Sequence, residues 1–272
     1  MINATDQTYL LNEQYKDASN LDARARVHEL YSTNKHGWHR WVFEQLTLPG
    51  ATRILELGAG PGLLWSHNLG RIPGGCQAVL SDLSSGMVNQ ARQTLGVSTA
   101  QFRFVVADVQ RIPFADAAFD VLVANHMLYH VLDREKALAE IHRVLRPGGR
   151  LYASTVGQAH LRELTELVER YAPRRESWTN EFSLENGAKQ FARRFSQVTL
   201  LRYEDCLVVT EVAPLVDYVR SGGYGLTEEG LEEFSQAVAR EIKEHGAFRI
   251  AKDSGLFQAI RPDSSDSGTN LP

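Results

Sequence analysis

Only two of the 272 residues are cysteine, Cys76 and Cys206, far apart and outside any Cys-x-x-Cys spacing. Neither a disulfide framework nor a cysteine zinc site is encoded. The chain also lacks a strong charge of either sign: 29 Lys and Arg stand against 33 Asp and Glu, a formal net charge of -4. The small basic groups Arg174-Arg175 and Arg193-Arg194 have acidic neighbours, so there is no electrostatic footprint for nucleic acid or an anionic membrane. No apolar run approaches membrane-spanning length, and the opening residues, MINATDQTYLLNEQY, place no basic region before an apolar one. These absences predict a cytoplasmic protein with neither nucleic acid nor membrane as partner. No internal repeat or interdomain linker breaks the chain.

What is present is organised around residues 53–64, RILELGAGPGLL. Arg53 to Leu57 have the length and apolar bias of a buried strand, which Gly58, Ala59, Gly60, Pro61 and Gly62 cannot continue. Leu63 to Leu69 then read as a short helix ended by Gly70. The amide-rich first turn of that helix faces the glycine turn, where backbone without Cβ atoms can approach a ligand. The dinucleotide fingerprint Gly-x-Gly-x-x-Gly is missed by one residue, because Gly62 comes early and Leu63 holds the expected place. A phosphate loop is excluded by the lack of a Lys-Ser/Thr pair.

Before this unit, helices are predicted over Leu21–Tyr31, with Val27, Leu30 and Tyr31 on one stripe, and over Trp38–Leu48, separated by a polar turn. Trp38 and Trp41 dock the second helix on the sheet, or Tyr31 and Trp38 form part of a lid over a cofactor, where an aromatic face can contact a cation. After it, Gln77–Ser81 is a strand ending on Asp82. That acid lies roughly 20 residues past the glycine turn, where it can accept both hydroxyls of a ribose or cap the following helix. Phe102–Val106 is a third strand ending in Ala107-Asp108, and Phe119–Ala124 (FDVLVA) suits a parallel strand buried on both faces. It ends at Asn125-His126-Met127-Leu128-Tyr129-His130, on the ligand-binding side of an open α/β sheet. Asp133 caps a helix with the stripe Ala137, Leu138, Ile141, Val144 and Leu145, stopped by Arg146-Pro147-Gly148-Gly149 before a fifth strand, Arg150–Thr155.

Beyond Val156 the pattern predicts helices over Leu161–Tyr171 and Phe182–Phe195 and a strand Val198–Tyr203 that Leu207–Val209 extend. Helices around Val212–Val219 and Thr227–His245 follow, then closing strands Phe248–Ala251 and Leu256–Arg261. The alternation gives a doubly wound, Rossmann-like, mostly parallel α/β sheet with N-terminal helices and a helical cap insertion. Residues 1–50 are a helical lid and a possible self-association surface. Residues 51–261 are the main domain, with cap elements around 157–195 and 211–246, and the Ser/Asp/Gly-rich residues 262–272 form a disordered tail. Trp178, Phe182, Tyr218 and Tyr224 are candidates to line an apolar pocket or to pack the core.

Glu56-Leu57-Gly58-Ala59-Gly60-Pro61-Gly62, followed in order by Asp82, Asp108 and Arg-Pro-Gly-Gly, resembles the motif set of class I S-adenosylmethionine-dependent methyltransferases over about Arg53–Thr155. The order is most similar to the small-molecule branch that includes ubiquinone/menaquinone-type methyltransferases. The resemblance implies a seven-stranded sheet with its last strand antiparallel, S-adenosylmethionine as cofactor and a small-molecule methyl acceptor. It also implies a cofactor site. Gly58, Ala59 and Gly60 would line the methionine part, with Glu56 supporting the loop. Asp82 and Leu83 would hold the ribose, Met87 would lie near the adenine edge, Asp108 and Val109 would hold the adenine, and Asn125 would approach the amino-acid end through its backbone.

His126 and His130 follow the fourth strand and titrate near neutrality, so they are the candidate general bases, with structural or substrate-orienting roles as the alternative. His-x-x-x-His with Asp133 could suggest a metal site, but no Glu supports it, and no metal is expected. The competing functions are a non-catalytic S-adenosylmethionine-binding regulatory protein and an NAD(P)-dependent oxidoreductase, which Leu63 disfavours. The acceptor atom is not readable from these motifs.

Overall fold

The computed structural model describes residues 5, 7–9, 19–96, 101–172, 181–222 and 224–263. Arg174, Arg175, Trp178 and residues 264–272 of the expected tail lie outside the described residues. The helices are α1 (Gln7–Tyr9), α2 (Ser19–Tyr31), α3 (Trp38–Gln45), α4 (Leu63–Ser66), α5 (Ser85–Leu95), α6 (Arg134–Val144), α7 (Arg162–Glu169), α8 (Gly187–Phe191), α9 (Val212–Ser221) and α10 (Glu228–His245). The strands are β1 (Arg53–Leu57), β2 (Gln77–Asp82), β3 (Phe102–Val106), β4 (Phe119–Ala124), β5 (Leu145–Val156), β6 (Ser196–Val209) and β7 (Phe248–Ile260). They form one seven-stranded sheet in the order β3-β2-β1-β4-β5-β7-β6. The first five strands pair in parallel, and β7 runs antiparallel to both β5 and β6.

Alternation along the central strands explains why they are apolar throughout. On one face Leu55, Leu122, Ala124, Leu151 and Ala153 pack with Leu138 and Ile141 of α6 and Phe191 of α8. On the other, Ile54, Ala78, Leu80, Val121 and Val123 meet Val42 and Phe43 of α3, Trp65 of α4 and Leu95 of α5. Helices on both faces leave only the strand ends open to a ligand.

Several elements differ from the expectation. The helix predicted over Phe182–Phe195 contracts to α8, because Ser183 N–H donates to Asn186 Oδ1 at 2.9 Å and holds a turn in its first residues. The helix after the glycine turn stops at Ser66, where Asn68 Nδ2 bonds the Leu64 carbonyl at 2.8 Å. The Arg146–Gly149 stop lies inside β5 as a bulge: Phe119 pairs with Leu145 and Val121 next with Arg150. Leu30 is 49% exposed, so the buried stripe of α2 is Val27 and Tyr31.

The two closing strands expected from the sequence are one strand. Val156 of β5 pairs with Ser254, so residues 248–253 of β7 continue past β5 and pair only with β6. Those six residues extend roughly 20 Å beyond the carboxyl end of β5 at about 3.4 Å per residue. The arm carries the cap. Leu207, Val209, Phe248 and Ile250 pack with Leu164 and Val168 of α7, Leu215 and Val219 of α9, Phe234 and Val238 of α10, and Val27 and Tyr31 of α2. No helix among the described residues is long and apolar enough to cross a membrane.

Candidate active site

A cleft of about 1190 Å³ lies at the carboxyl ends of β1, β2, β3 and β4, between the sheet and the cap. Its floor is the glycine turn. Gly58, Gly60 and Gly62 take φ of 64°, 54° and 79°, a region that side chains disfavour. A Cβ on Gly58 would lie 2.7 Å from Met127 Cβ, whereas one on Gly60 would meet nothing within 4 Å. A side chain at Gly58 would therefore meet Met127 as well as a strained φ, and Gly60 faces the open cleft.

Asp82 braces this turn. Its Oδ2 accepts from Gly60 N–H at 3.0 Å and its Oδ1 from Ser84 N–H at 2.9 Å. Ser84, not Asp82, caps α5, its hydroxyl accepting from Met87 N–H at 3.3 Å. Burial raises the Asp82 carboxyl against the lowering effect of the Ser84, Gly60 and Leu83 amides. Leu83 and Met87 line the same cleft, Met87 from a fully buried position. Asp108 and Val109 contribute from the end of β3, with Asp108 Oδ1 accepting from Gln110 N–H at 2.8 Å.

Glu56 also reaches the cleft wall but is 2% exposed and accepts from Trp65 Nε1 at 2.6 Å. Burial pushes its carboxyl up to about 8, the indole bond working against the shift and the Asp82 charge with it. Trp65 thus anchors the glycine turn through Glu56, a role its sequence position in an apolar helix did not signal.

At the end of β4, Asn125 Oδ1 accepts from Trp38 Nε1 at 3.2 Å and from Ser154 Oγ at 2.6 Å. An indole can only donate, so the Asn125 oxygen must point at Trp38 and its NH2 group is left over. The Ser154 hydroxyl also accepts from His126 N–H at 2.9 Å. Ser154 therefore holds both residues from buried β5, and in the sequence it looked like an ordinary strand residue. His126 takes φ of 53°, and its ring lies 4.8 Å from that of Trp38. Burial, then His160, His39, Lys252 and His130, push its imidazole down to about 3. A neutral ring of such low basicity orients groups well and takes protons poorly. His130 lines the cleft beside Tyr129, their rings 4.5 Å apart.

Tyr31 is the one predicted site residue set apart from the cleft wall. Val27 and Tyr31, one turn apart, point into the cap core, while Arg24 and His28 on the adjacent stripe of α2 face the cleft. Trp38 does line it, and it also packs against the sheet-face core. Among the described residues no group of three or more His, Cys, Asp or Glu is placed to hold a metal ion. The far wall joins Tyr218, a candidate pocket residue, to His28, His160, Tyr203 and Lys252, which were not legible as a site: they are spread from α2 to β7 and meet only because the arm folds over the strand ends. Phe182 is fully buried in the core, and Tyr224 packs against the cap cluster.

The family model for a methyltransferase domain matches residues 55–153, from within β1 into β5. Residues 55–153 are the part of the chain similar to that domain. The ubiquinone/menaquinone biosynthesis C-methyltransferase of Vibrio parahaemolyticus is 33% identical over 139 residues, 50% of this chain and 53% of that protein. The chain thus spans about half the length of the curated relatives it matches. Among solved structures, a phosphoethanolamine N-methyltransferase of Haemonchus contortus in complex with S-adenosyl-L-methionine superposes with a TM-score of 0.60 at 16% identity. It covers 97% of this chain and 61% of its own. The [4+2]-cyclase SpnF superposes with a TM-score of 0.50 at 19% identity, covering 82% and 79%. Within the matched segment the glycine turn, Asp82 and Asp108 occupy adjacent strand ends, and the cap lies outside it.

Proposed function

We propose that the protein is an S-adenosylmethionine-dependent methyltransferase that transfers a methyl group to a small-molecule acceptor. The observation that carries this reading is the grouping, on one cleft, of a glycine turn with open space at Gly60 and carboxylates at the ends of β2 and β3. That donor and acceptor set fits the cofactor: Asp82 for ribose hydroxyls, Asp108 and Val109 for the adenine, and the amides around Gly58, Ala59 and Gly60 with the Asn125 NH2 group for the amino-acid end. Relatives named for quinone biosynthesis and for phosphoethanolamine methylation support a small acceptor.

The cofactor, when bound, supplies a methyl group already activated by its positive sulfur. The chain's own contribution is alignment, which can supply about 7 to 11 kcal/mol through proximity and orientation. Trp38 closes the cleft over the β4 end and offers a ring face to a cation. His126, held neutral and fixed by Ser154, orients the acceptor. His130 is the group to take a proton where the acceptor must lose one.

The test is incubation of the pure protein with methyl-labelled S-adenosylmethionine and a small-molecule extract of its source cells, read by mass spectrometry. Label in one metabolite establishes the enzyme and names its acceptor. Failure to bind S-adenosylhomocysteine, or its displacement by NADH, overturns the reading.

A further inference from the structure

The cleft is electrically two-ended. Asp82 and Asp108 gather at the ends of β2 and β3, whereas Arg24, His28, His160 and Lys252 line the end beneath the cap. From this we propose, resting on the methyltransferase reading, that the acceptor carries a negatively charged group that docks between Lys252, His28 and His160.

Four observations point there. Lys252 stands directly opposite Asp205 in the β6–β7 register, with Nζ 2.5 Å from Asp205 Oδ2 and the side chains 8% and 0% exposed. Asp205 is already supplied with donors from the turn after α2: the Ser32 hydroxyl, Thr33 Oγ1 at 3.2 Å and Asn34 N–H at 2.9 Å. An ammonium has three N–H groups, so Lys252 keeps donors for a ligand on the cleft side. Second, His160 Nδ1 accepts from Asp253 N–H at 3.2 Å, which places the proton of the neutral ring on Nε2 as a donor. Third, His28 Nδ1 is a buried polar atom without a hydrogen-bond partner. In the Nδ1–H tautomer of the neutral ring that nitrogen is a donor, which an anionic ligand group would satisfy.

The fourth is the balance of charge facing this end. The carboxylates near it include Asp205, committed to Lys252, Asp253, paired with Arg202, and exposed Glu29 on α2. Burial first, and then neighbouring Lys252 and histidine charge, push both His28 and His160 down to about 3, so both rings stay neutral and meet a ligand as hydrogen-bond donors. Tyr129, Tyr203 and Tyr218 flank the same space, so the body attached to the anionic group is apolar or aromatic.

The probes are benzoate and phenyl phosphate, with benzamide as the neutral isostere, titrated calorimetrically into the full chain with and without S-adenosylhomocysteine. At least one anion should bind about tenfold or more tightly than benzamide, as expected of charge-assisted hydrogen bonds. Lys252→Met should erase that preference and leave S-adenosylhomocysteine affinity unchanged. The paired variant Asp205→Asn with Lys252→Met removes both charges together, so a folding defect from a lone buried carboxylate does not confuse the result. A preference for benzoate over phenyl phosphate assigns a carboxylic acid, and the reverse a phosphate ester. Equal or absent binding of anions and amide, or a preference that survives both variants, overturns the proposal. Loss of S-adenosylhomocysteine binding by the unsubstituted protein strikes instead at the methyltransferase reading.

Discussion

Trp38 Nε1 donates to Asn125 Oδ1 at 3.2 Å, joining a helix that precedes the sheet to the carboxyl end of its central strand. On the proposed reading a cofactor's amino-acid end would lie beside this bond, which ties α3 to the site. Trp38→Phe keeps a ring beside His126 and Tyr203 but deletes the donor. Its expected cost is about 0.5 to 1.5 kcal/mol, or roughly 2- to 12-fold in affinity for S-adenosylhomocysteine by calorimetry. Trp38→Ala should lose more, since the ring contacts go as well.

Asp82 carries two tasks, bracing Gly60 and presenting acceptor capacity to the cleft. Asp82→Asn preserves the shape while replacing one acceptor by a donor facing the Gly60 or Ser84 amide. Cofactor affinity should fall by about 1.5 to 3 kcal/mol, the range for a hydrogen bond to a charged group. Unchanged affinity would remove Asp82 from the site.

How much of this was legible follows from how local each feature is. The glycine turn, Asp82, Asp108 and the β4 end were readable because each sits at a strand end, where hydrophobic periodicity breaks. α6 was readable because Asp133 and Arg146-Pro147 mark its limits. Lys252 and Asp205 were not, because their meeting depends on β6 and β7 continuing past β5. Ser254 and Gly255 read as a break between two short strands when they are the middle of one. Tyr31 was misplaced by a single helical stripe, since Val27 and Tyr31 answer to a cap core built from segments more than a hundred residues away.

Glu56 makes stability depend on pH. Its folded value near 8 is above the usual carboxylate range, so the folded chain holds a proton that the unfolded chain releases. The stability this contributes is fully present below the unfolded value of about 4.5 and is lost as pH rises through about 8, at up to about 1.4 kcal/mol per pH unit. Glu56→Gln keeps an acceptor for Trp65 Nε1 without the ionisation. The variant should gain on the parent between pH 6 and 8.5 in denaturant titrations. A parallel pair of pH profiles would show that Glu56 ionises freely in the fold.

The histidines act at the other end of the scale. Burial first, and neighbouring positive charge second, push His28, His126 and His160 down to about 3 and His39 to about 4. Their folded values lie below the unfolded one, so the stability they contribute is present above about 6.5 and is lost as pH falls toward 3 to 4. Acid weakening should therefore begin above pH 5, before most carboxylates titrate. His28→Gln with His126→Gln should flatten the decline between pH 6.5 and 5, measured as the denaturation midpoint.

Gly58 and Met127 test whether the turn is fixed by conformation or by contact. In Gly58→Ala the new methyl meets Met127 Cβ at 2.7 Å and Cγ at 2.9 Å, and the residue keeps φ at 64°. The backbone cost of a side chain in that region is about 1 to 2 kcal/mol, and the clash adds about 1 to 3 more. Met127→Ala leaves Cβ but removes Cγ and beyond, so the double variant should recover part of the clash term and none of the backbone term. Thermal unfolding of the two single variants and the double gives the coupling. Recovery to the level of Met127→Ala alone would mean that φ is not the constraint, and that the glycine is there only to make room. A residual loss, accompanied by weakened S-adenosylhomocysteine binding, would place the requirement in the backbone that the cofactor approaches.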